Sequence, residues 1–159
     1  MKKQDFNTIL KQGMSVDACT CGELRRAARA VTLLYDKAFE SSGLLSTQLG
    51  VLHTIYNSAS ITISQLAGEL DMDRTTLTRN LSVLERQGLI NISSGKDHRT
   101  RIITITSKGT NSMANAIPLW NEIQRKVKQQ MGEKAWHELI QSLSHFVKIA
   151  ERLLPPDKN

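Results

Sequence analysis

Aromatic side chains are scarce in this chain of 159 residues: Phe, Tyr and Trp together make up 4%. Proteins that hold single-stranded nucleic acid or unpaired RNA stack bases on exposed rings, so this scarcity argues against such platforms. Long apolar runs are lacking as well. No stretch approaches the ~20 apolar residues that a membrane span requires. Gln4, Asp5, Asn7, Lys11 and Gln12 interrupt the stretch after the basic start Met1-Lys2-Lys3, so no secretory signal is read there. The expectation is a cytoplasmic, nucleoid-associated protein without membrane contact. Catalytic motifs are missing too: there is no Gly-rich phosphate loop, no metalloprotease signature and no nucleophile elbow. His53, His98, His137 and His145 do not pair with cysteine or carboxylate at ligand spacing. The reading is therefore not an enzyme, with no cofactor and no metal.

Cysteine is nearly absent, and the two that occur are Cys19 and Cys21. Thiols just before a helix can have a lowered pKa and raised reactivity, which leaves a redox role open. Against it, a disulfide between residues two apart fits the required geometry poorly. Two cysteines alone do not complete a four-ligand zinc site, although two from each of two subunits would. In a reducing cell they otherwise read as ordinary thiols.

What the chain does have is a basic balance, with net charge +6 and a pI near 9.6, in one unit too small for two independent domains. Polyanionic partners suit that charge, although it also serves ordinary solubility. Its most specific stretch runs from Ile63 to Thr106. Ser64 to Leu70 reads as a short helix with Ser64 as N-cap. Asp71-Met72-Asp73 is a connection of helix-turn-helix length, and Asp73 suits the N-cap of the next helix. In that helix Leu77, Leu81 and Leu84 repeat at helical spacing and face a core. Thr75, Thr76, Thr78, Arg79, Asn80 and Ser82 are left largely outside, and Arg74 joins Thr75, Thr76, Thr78 and Arg79 as a DNA-binding candidate. Threonine offers a methyl and a hydroxyl to base edges, and arginine forks onto guanine. Gly88 is placed to take the left-handed position that ends the helix. Such a polar face by itself also fits plain solvation. The β-branched strands that follow, Leu89–Ile92 and Arg101–Ile105, turn the reading toward DNA. Between them lies a polar loop carrying Lys96, Asp97, His98 and Arg99. A hairpin directly after a recognition helix makes a winged helix-turn-helix.

The flanks read as helices. Leu24, Ala27, Ala28, Val31, Leu34, Tyr35 and Ala38 form an apolar stripe within Gly22–Glu40. Ser46 or Thr47 caps a second helix with Leu49, Leu52, Ile55 and Tyr56 inward. His53 shares that side and reads as a core histidine. After the wing, Met113, Ile117, Trp120, Ile123 and Val127 share one side of a long helix, in which Pro118 predicts a kink or break. A last helix carries Trp136, Leu139, Leu143, Phe146, Val147, Ala150 and Leu154. Stripes this wide must be buried, and packing against a second copy does so. The fold expected is mainly α with a small β-hairpin. Residues 44–106 form the winged helix-turn-helix, 20–43 and 107–155 the helical dimerisation region, and 1–19 an N-terminal segment read as flexible.

At these residues the chain resembles the MarR family of transcriptional regulators. The likeness rests on Asp97-His98-Arg99 with Ile103, Ile105 and Thr106 in the wing. It rests also on Arg74-Thr75-Thr76-Leu77-Thr78-Arg79, Leu84-Glu85 and Gln87-Gly88-Leu89-Ile90. It implies a twofold homodimer held by terminal helices, binding double-stranded DNA at a pseudo-palindromic operator, as a repressor. It also implies release by a small aromatic or phenolic effector or by an oxidant. The effector site would lie where the dimer helices meet the reader, with Arg29, His53 and Trp120 as candidate lining residues. Thr75, Thr76, Thr78 and Arg79 would address the major groove. Lys96 and His98 would meet phosphate, Arg99 would enter the minor groove or clamp its phosphates, and Asp97 would hold Arg99 by a charge-assisted pair. Two other readings stay open: an architectural DNA protein without effector, and a winged-helix module that binds protein.

Overall fold

The computed structural model describes residues 19–95 and 100–155. The N-terminal segment, apart from Cys19, and the wing-tip residues Lys96, Asp97, His98 and Arg99 lie outside the described residues.

Helix α1 spans Thr20–Phe39 and passes through a 3-10 turn, Glu40–Ser42, to Gly43. Helix α2, Ser46–Asn57, starts one residue earlier than a serine or threonine cap would place it. Its N-cap is Leu45, and the free amides are met from elsewhere. Gln48 Oε1 accepts the Leu45 N–H at 2.9 Å, and Asp36 Oδ1 of α1 accepts the Ser46 N–H at 2.7 Å.

Helix α3, Ile63–Glu69, is capped by Thr62 rather than Ser64. Thr62 Oγ1 accepts the Gln65 N–H at 3.2 Å, while Gln65 Oε1 accepts the Thr62 N–H at 3.1 Å. That reciprocal pair satisfies two orphan donors, where Ser64 would have satisfied one. The turn places Asp71 at φ 48°, a left-handed conformation that short polar residues tolerate. Helix α4, Arg74–Arg86, follows. Gly88, at φ 71°, lets the Leu89 N–H reach the Leu84 carbonyl at 2.9 Å and end the helix.

Two further strands complete the reader, β2 (Ile90–Ser94) and β3 (Arg101–Ile105). They pair antiparallel, Ile92 opposite Ile103 and Ser94 opposite Arg101. A short strand β1, Ile61–Thr62, that the sequence reading left out pairs on the other edge of β3. The sheet order is β1-β3-β2.

Helix α5, Ser107–Met131, runs without a break through Pro118. Both Pro118 and Ala114, whose carbonyl the proline leaves without its usual donor, are exposed, so water can take that carbonyl. At its start Thr106 Oγ1 accepts the Gly109 N–H at 3.0 Å and itself reaches the Gly88 carbonyl at 2.8 Å. Gly109 presses on the wing base so closely that a Cβ there would stand 2.1 Å from the Leu89 oxygen. No side chain fits at that position.

Gly132, at φ 79° and ψ 143°, turns the chain into α6, Glu133–Leu153. The core sits in the reader: Leu52, Ile55, Leu66, Leu77, Leu81, Leu84 and Ile103 are fully buried. Phe39, Met113, Ala116 and Ile123 close it from the flanking helices. From the stripe expected on α1, Tyr35 and Ala38 pack against this core, while Val31 and Leu34 stay exposed. Helix α6 contributes no buried residue.

Candidate nucleic-acid interface

The recognition helix α4 is held at its N-terminus by Asp73. Its Oδ1 accepts the N–H groups of Thr75 at 2.9 Å and Thr76 at 3.0 Å. The Thr76 amide, foremost among these donors, holds the carboxyl below the usual carboxylate range. Leu77, Leu81 and Leu84 lock the opposite side into the core at zero exposure. Between cap and core, Arg74, Thr75, Thr76, Thr78 and Arg79 all face solvent, while Asn80 is half-buried.

The chemistry these groups present follows from their bonds. Thr78 Oγ1 donates to the Arg74 carbonyl at 2.7 Å, so its hydroxyl offers outward an acceptor rather than a donor. Ion pairs among the described residues, such as Arg26–Glu23 and Arg125–Glu122, lie on α1, α5 and α6, and none involves Arg74 or Arg79. No described carboxylate takes up those guanidiniums. The hairpin base is continued by the Gly95 N–H on the Thr100 carbonyl at 2.8 Å.

The candidate effector residues do not converge on one place. His53 and Trp120 line the same groove, together with Tyr35, Phe39, Leu49 and Met113. Its volume of about 420 Å³ falls in the range of small-molecule sites, and its walls are mostly apolar. Arg29 lies apart, in a shallow groove with Thr32 and Asp36. His53 is exposed rather than a core histidine, with the Asn57 amide 3.4 Å from its ring nitrogens, and Tyr56 is 51% exposed beside it. Phe39 and Met113 were not singled out as lining residues from the sequence. The signal was faint: Phe39 falls at the end of an apolar stripe where a helix becomes a turn. Cys19 and Cys21 are free and exposed at the start of α1. Among the described residues no three His, Cys, Asp or Glu cluster as a metal site would need, and no helix is long and apolar enough to cross a membrane.

The MarR family pattern matches residues 42–100. Among solved structures, the chain is similar to the transcriptional regulator MosR of M. tuberculosis in complex with DNA. That match has 38% identity over 84% of this chain and 97% of the other, with a TM-score of 0.77. The fold is also that of the transcriptional repressor CouR bound to a 23-mer DNA duplex. There the identity is 21% over 83% of this chain and 94% of that one, with a TM-score of 0.74. A curated relative, the uncharacterized HTH-type transcriptional regulator YwoH of Bacillus subtilis, is 24% identical over 86 residues. The match spans 54% of this chain and 63% of that protein's length. A closed helix-turn-helix core, a wing hairpin and a polar recognition face thus meet a near full-length likeness to a regulator of the same build, and the chain belongs to the MarR family, as a DNA-binding transcriptional regulator and not an enzyme.

Proposed function

We propose that this regulator is a repressor that binds a pseudo-palindromic operator as a twofold homodimer and leaves it when a small aromatic or phenolic molecule occupies the groove beside Trp120. The observation that carries the DNA reading is the recognition face: Arg74 and Arg79, in no ion pair among the described residues, stand among exposed threonines on a helix whose leucines are fully buried. A likeness to regulators solved with DNA supports duplex DNA as the partner. Support for the dimer comes from α6, whose Leu143 and Phe146 are 38% and 39% exposed in the single chain although their spacing marks one apolar face. One reader covers only a few base pairs, and two related by a twofold axis read both half-sites.

In this reading Thr75, Thr76, Thr78 and Arg79 address the major groove. Lys96 and His98 contact phosphate, Asp97 orients Arg99, and Arg99 reaches the minor groove or its phosphates. The apolar groove takes a planar ligand against Tyr35, Phe39 and Trp120, with His53 at its edge. Arg29 would reach such a ligand only from a partner subunit or after a rearrangement. Oxidant release is the second route, because Cys19 and Cys21 are exposed at the head of α1. A Cys19→Ser/Cys21→Ser protein should then stay on DNA under peroxide that releases the parent, and equal release of both would remove the thiols from the mechanism.

The decisive experiment is a base-substitution scan of an operator selected by the parent protein from random duplexes. Arg79→Ala should relax discrimination by roughly 1–3 kcal/mol at one position in each half-site, about ten base pairs apart. Uniform weakening across all sequences would reassign Arg79 to phosphate, and absence of any selected sequence would favour an architectural role.

A further inference from the structure

Gln48 is the polar side chain found buried with the core among the described residues. Its amide joins two helices. Oε1 serves the start of its own helix α2, accepting the Leu45 N–H. Nε2 crosses to α4 and donates to Gln87 Oε1 at 3.2 Å. Gln87 is the residue that closes the recognition helix. Its main-chain carbonyl accepts Lys108 Nζ at 2.8 Å, from the first turn of α5. The C-terminal end of the recognition helix is therefore held from two sides, by α2 and by α5.

The same two helices build the apolar groove. Leu49, Gly50 and His53 come from α2, and Met113, Ile117 and Trp120 from α5. Leu49 and Gly50 follow Gln48 directly, and Met113 follows Lys108 by little more than one turn. Apolar contacts slide with small changes in energy, but hydrogen bonds do not. Moving α2 by roughly 1 Å would take the 3.2 Å bond beyond hydrogen-bond reach. The Gln48 amide is buried, so losing its partner is unfavourable, whereas exposed Gln87 can turn to water; displacement of α2 therefore either draws α4 along or breaks the bond. Either way the response is stepwise, the property a two-state element needs.

We propose that Gln48 and Lys108 are positioning residues for the recognition helix, and that through Gln87 they let the groove and the DNA-reading face sense each other. The proposal rests on the effector reading of that groove, but it predicts a signal of its own. By reciprocity, DNA on α4 must be felt in the groove even with no ligand there. Trp120 is the natural reporter, and Trp136→Phe makes it the single indole of the chain.

The experiment titrates that full-length protein with its selected operator duplex while following indole emission. In the otherwise parental protein the duplex shifts Trp120 emission. In a Gln48→Met/Gln87→Met protein both amides are removed together, so neither is orphaned. The freed Leu45 N–H lies on a residue 50% exposed and can turn to water. This protein should still bind the duplex, within about tenfold of the parent, as the loss of one hydrogen bond allows. Its emission shift should fall below half. Lys108→Met, at an exposed position, repeats the test from α5 if the double variant folds poorly. A full parental shift in both variants overturns the proposal. So does an indole in the parent that ignores the duplex, or a loss of binding far beyond tenfold in both variants, which would make the link a plain structural tie. Failure of the effector reading looks different. There 4-hydroxybenzoate, the phenolic probe, changes neither emission nor duplex affinity, while the glutamine-dependent response to DNA persists.

Discussion

The reader and the helices around it are built from the same aliphatic residues, yet they dispose of them in opposite ways. Between Leu44 and Ile103 most leucines and isoleucines are buried, with Ile63, Leu70, Ile92 and Ile102 half-buried and Leu45 exposed. In α6 the equally regular series Leu139, Leu143, Phe146 and Val147 remains between 38% and 47% exposed. The difference lies in what each region can close upon. Three short helices and a three-stranded sheet enclose a core once Phe39, Met113 and Ala116 are added from outside. The 21-residue helix α6 buries none of its residues against the described remainder of the chain. Sequence periodicity reports that a face must be buried, and it does not report by which molecule.

The strongest way to break this contrast is to damage each side in turn. Leu81→Ala removes a fully buried side chain from the reader. It should cost about 2–5 kcal/mol of stability, read as a Tm lower than the parent's at every protein concentration compared. Leu143→Asp should spare the folded reader and weaken self-association by about 2 kcal/mol or more, because a charge enters apolar packing. Sedimentation over a concentration series checks it. A parent protein that stays monomeric at micromolar concentration would collapse the contrast, since α6 would then be exposed in solution as well.

The smallest effect sharpens the contrast within the reader itself. Asp73 has a folded-state pKa below its ordinary value because it accepts the Thr76 and Thr75 amides. Its contribution to stability is complete above the unfolded carboxylate value, near ~4, and is lost as pH falls through the lower folded one. The amide signals of Thr75 and Thr76 should therefore hold steady from pH 8 to pH 5 and move only below about pH 4. Asp73→Ser, which can still cap, should remove that acid response. A response centred well above that range would mean that the carboxyl is not held by these amides.

How far the fold was legible depended on how local its causes are. Asp73 and Gly88 announced their roles because a cap and a left-handed terminus need only the residues beside them. The α3 cap lies two residues before the Ser64 that the sequence suggests, since Thr62 and Ser64 both have hydroxyls and only Gln65 decides between them. Strand β1 escaped because its partner, around Ile103, is some forty residues away and two residues carry no period. Spacing with Leu49 points His53 and Tyr56 inward, but His53 lies exposed along the groove and Tyr56 is 51% exposed, because a helix face wider than the core leaves its margins in water. Of the recognition face, every residue named from the sequence but half-buried Asn80 is exposed on α4, because burial of the leucines leaves it nowhere else to go.

The contact between Gly109 and the Leu89 oxygen gives α5 the character of a lever with its fulcrum at the wing. A helix of 25 residues is about 37 Å long. With one end clamped to the hairpin, a tilt of about 5° at the far end corresponds to roughly 3 Å of travel. Neighbouring base pairs are stacked about 3.4 Å apart. In the proposed dimer, a few degrees of α5 would thus change the span between the two readers by nearly one base-pair step, and a side chain at position 109 would loosen the joint that makes this conversion faithful.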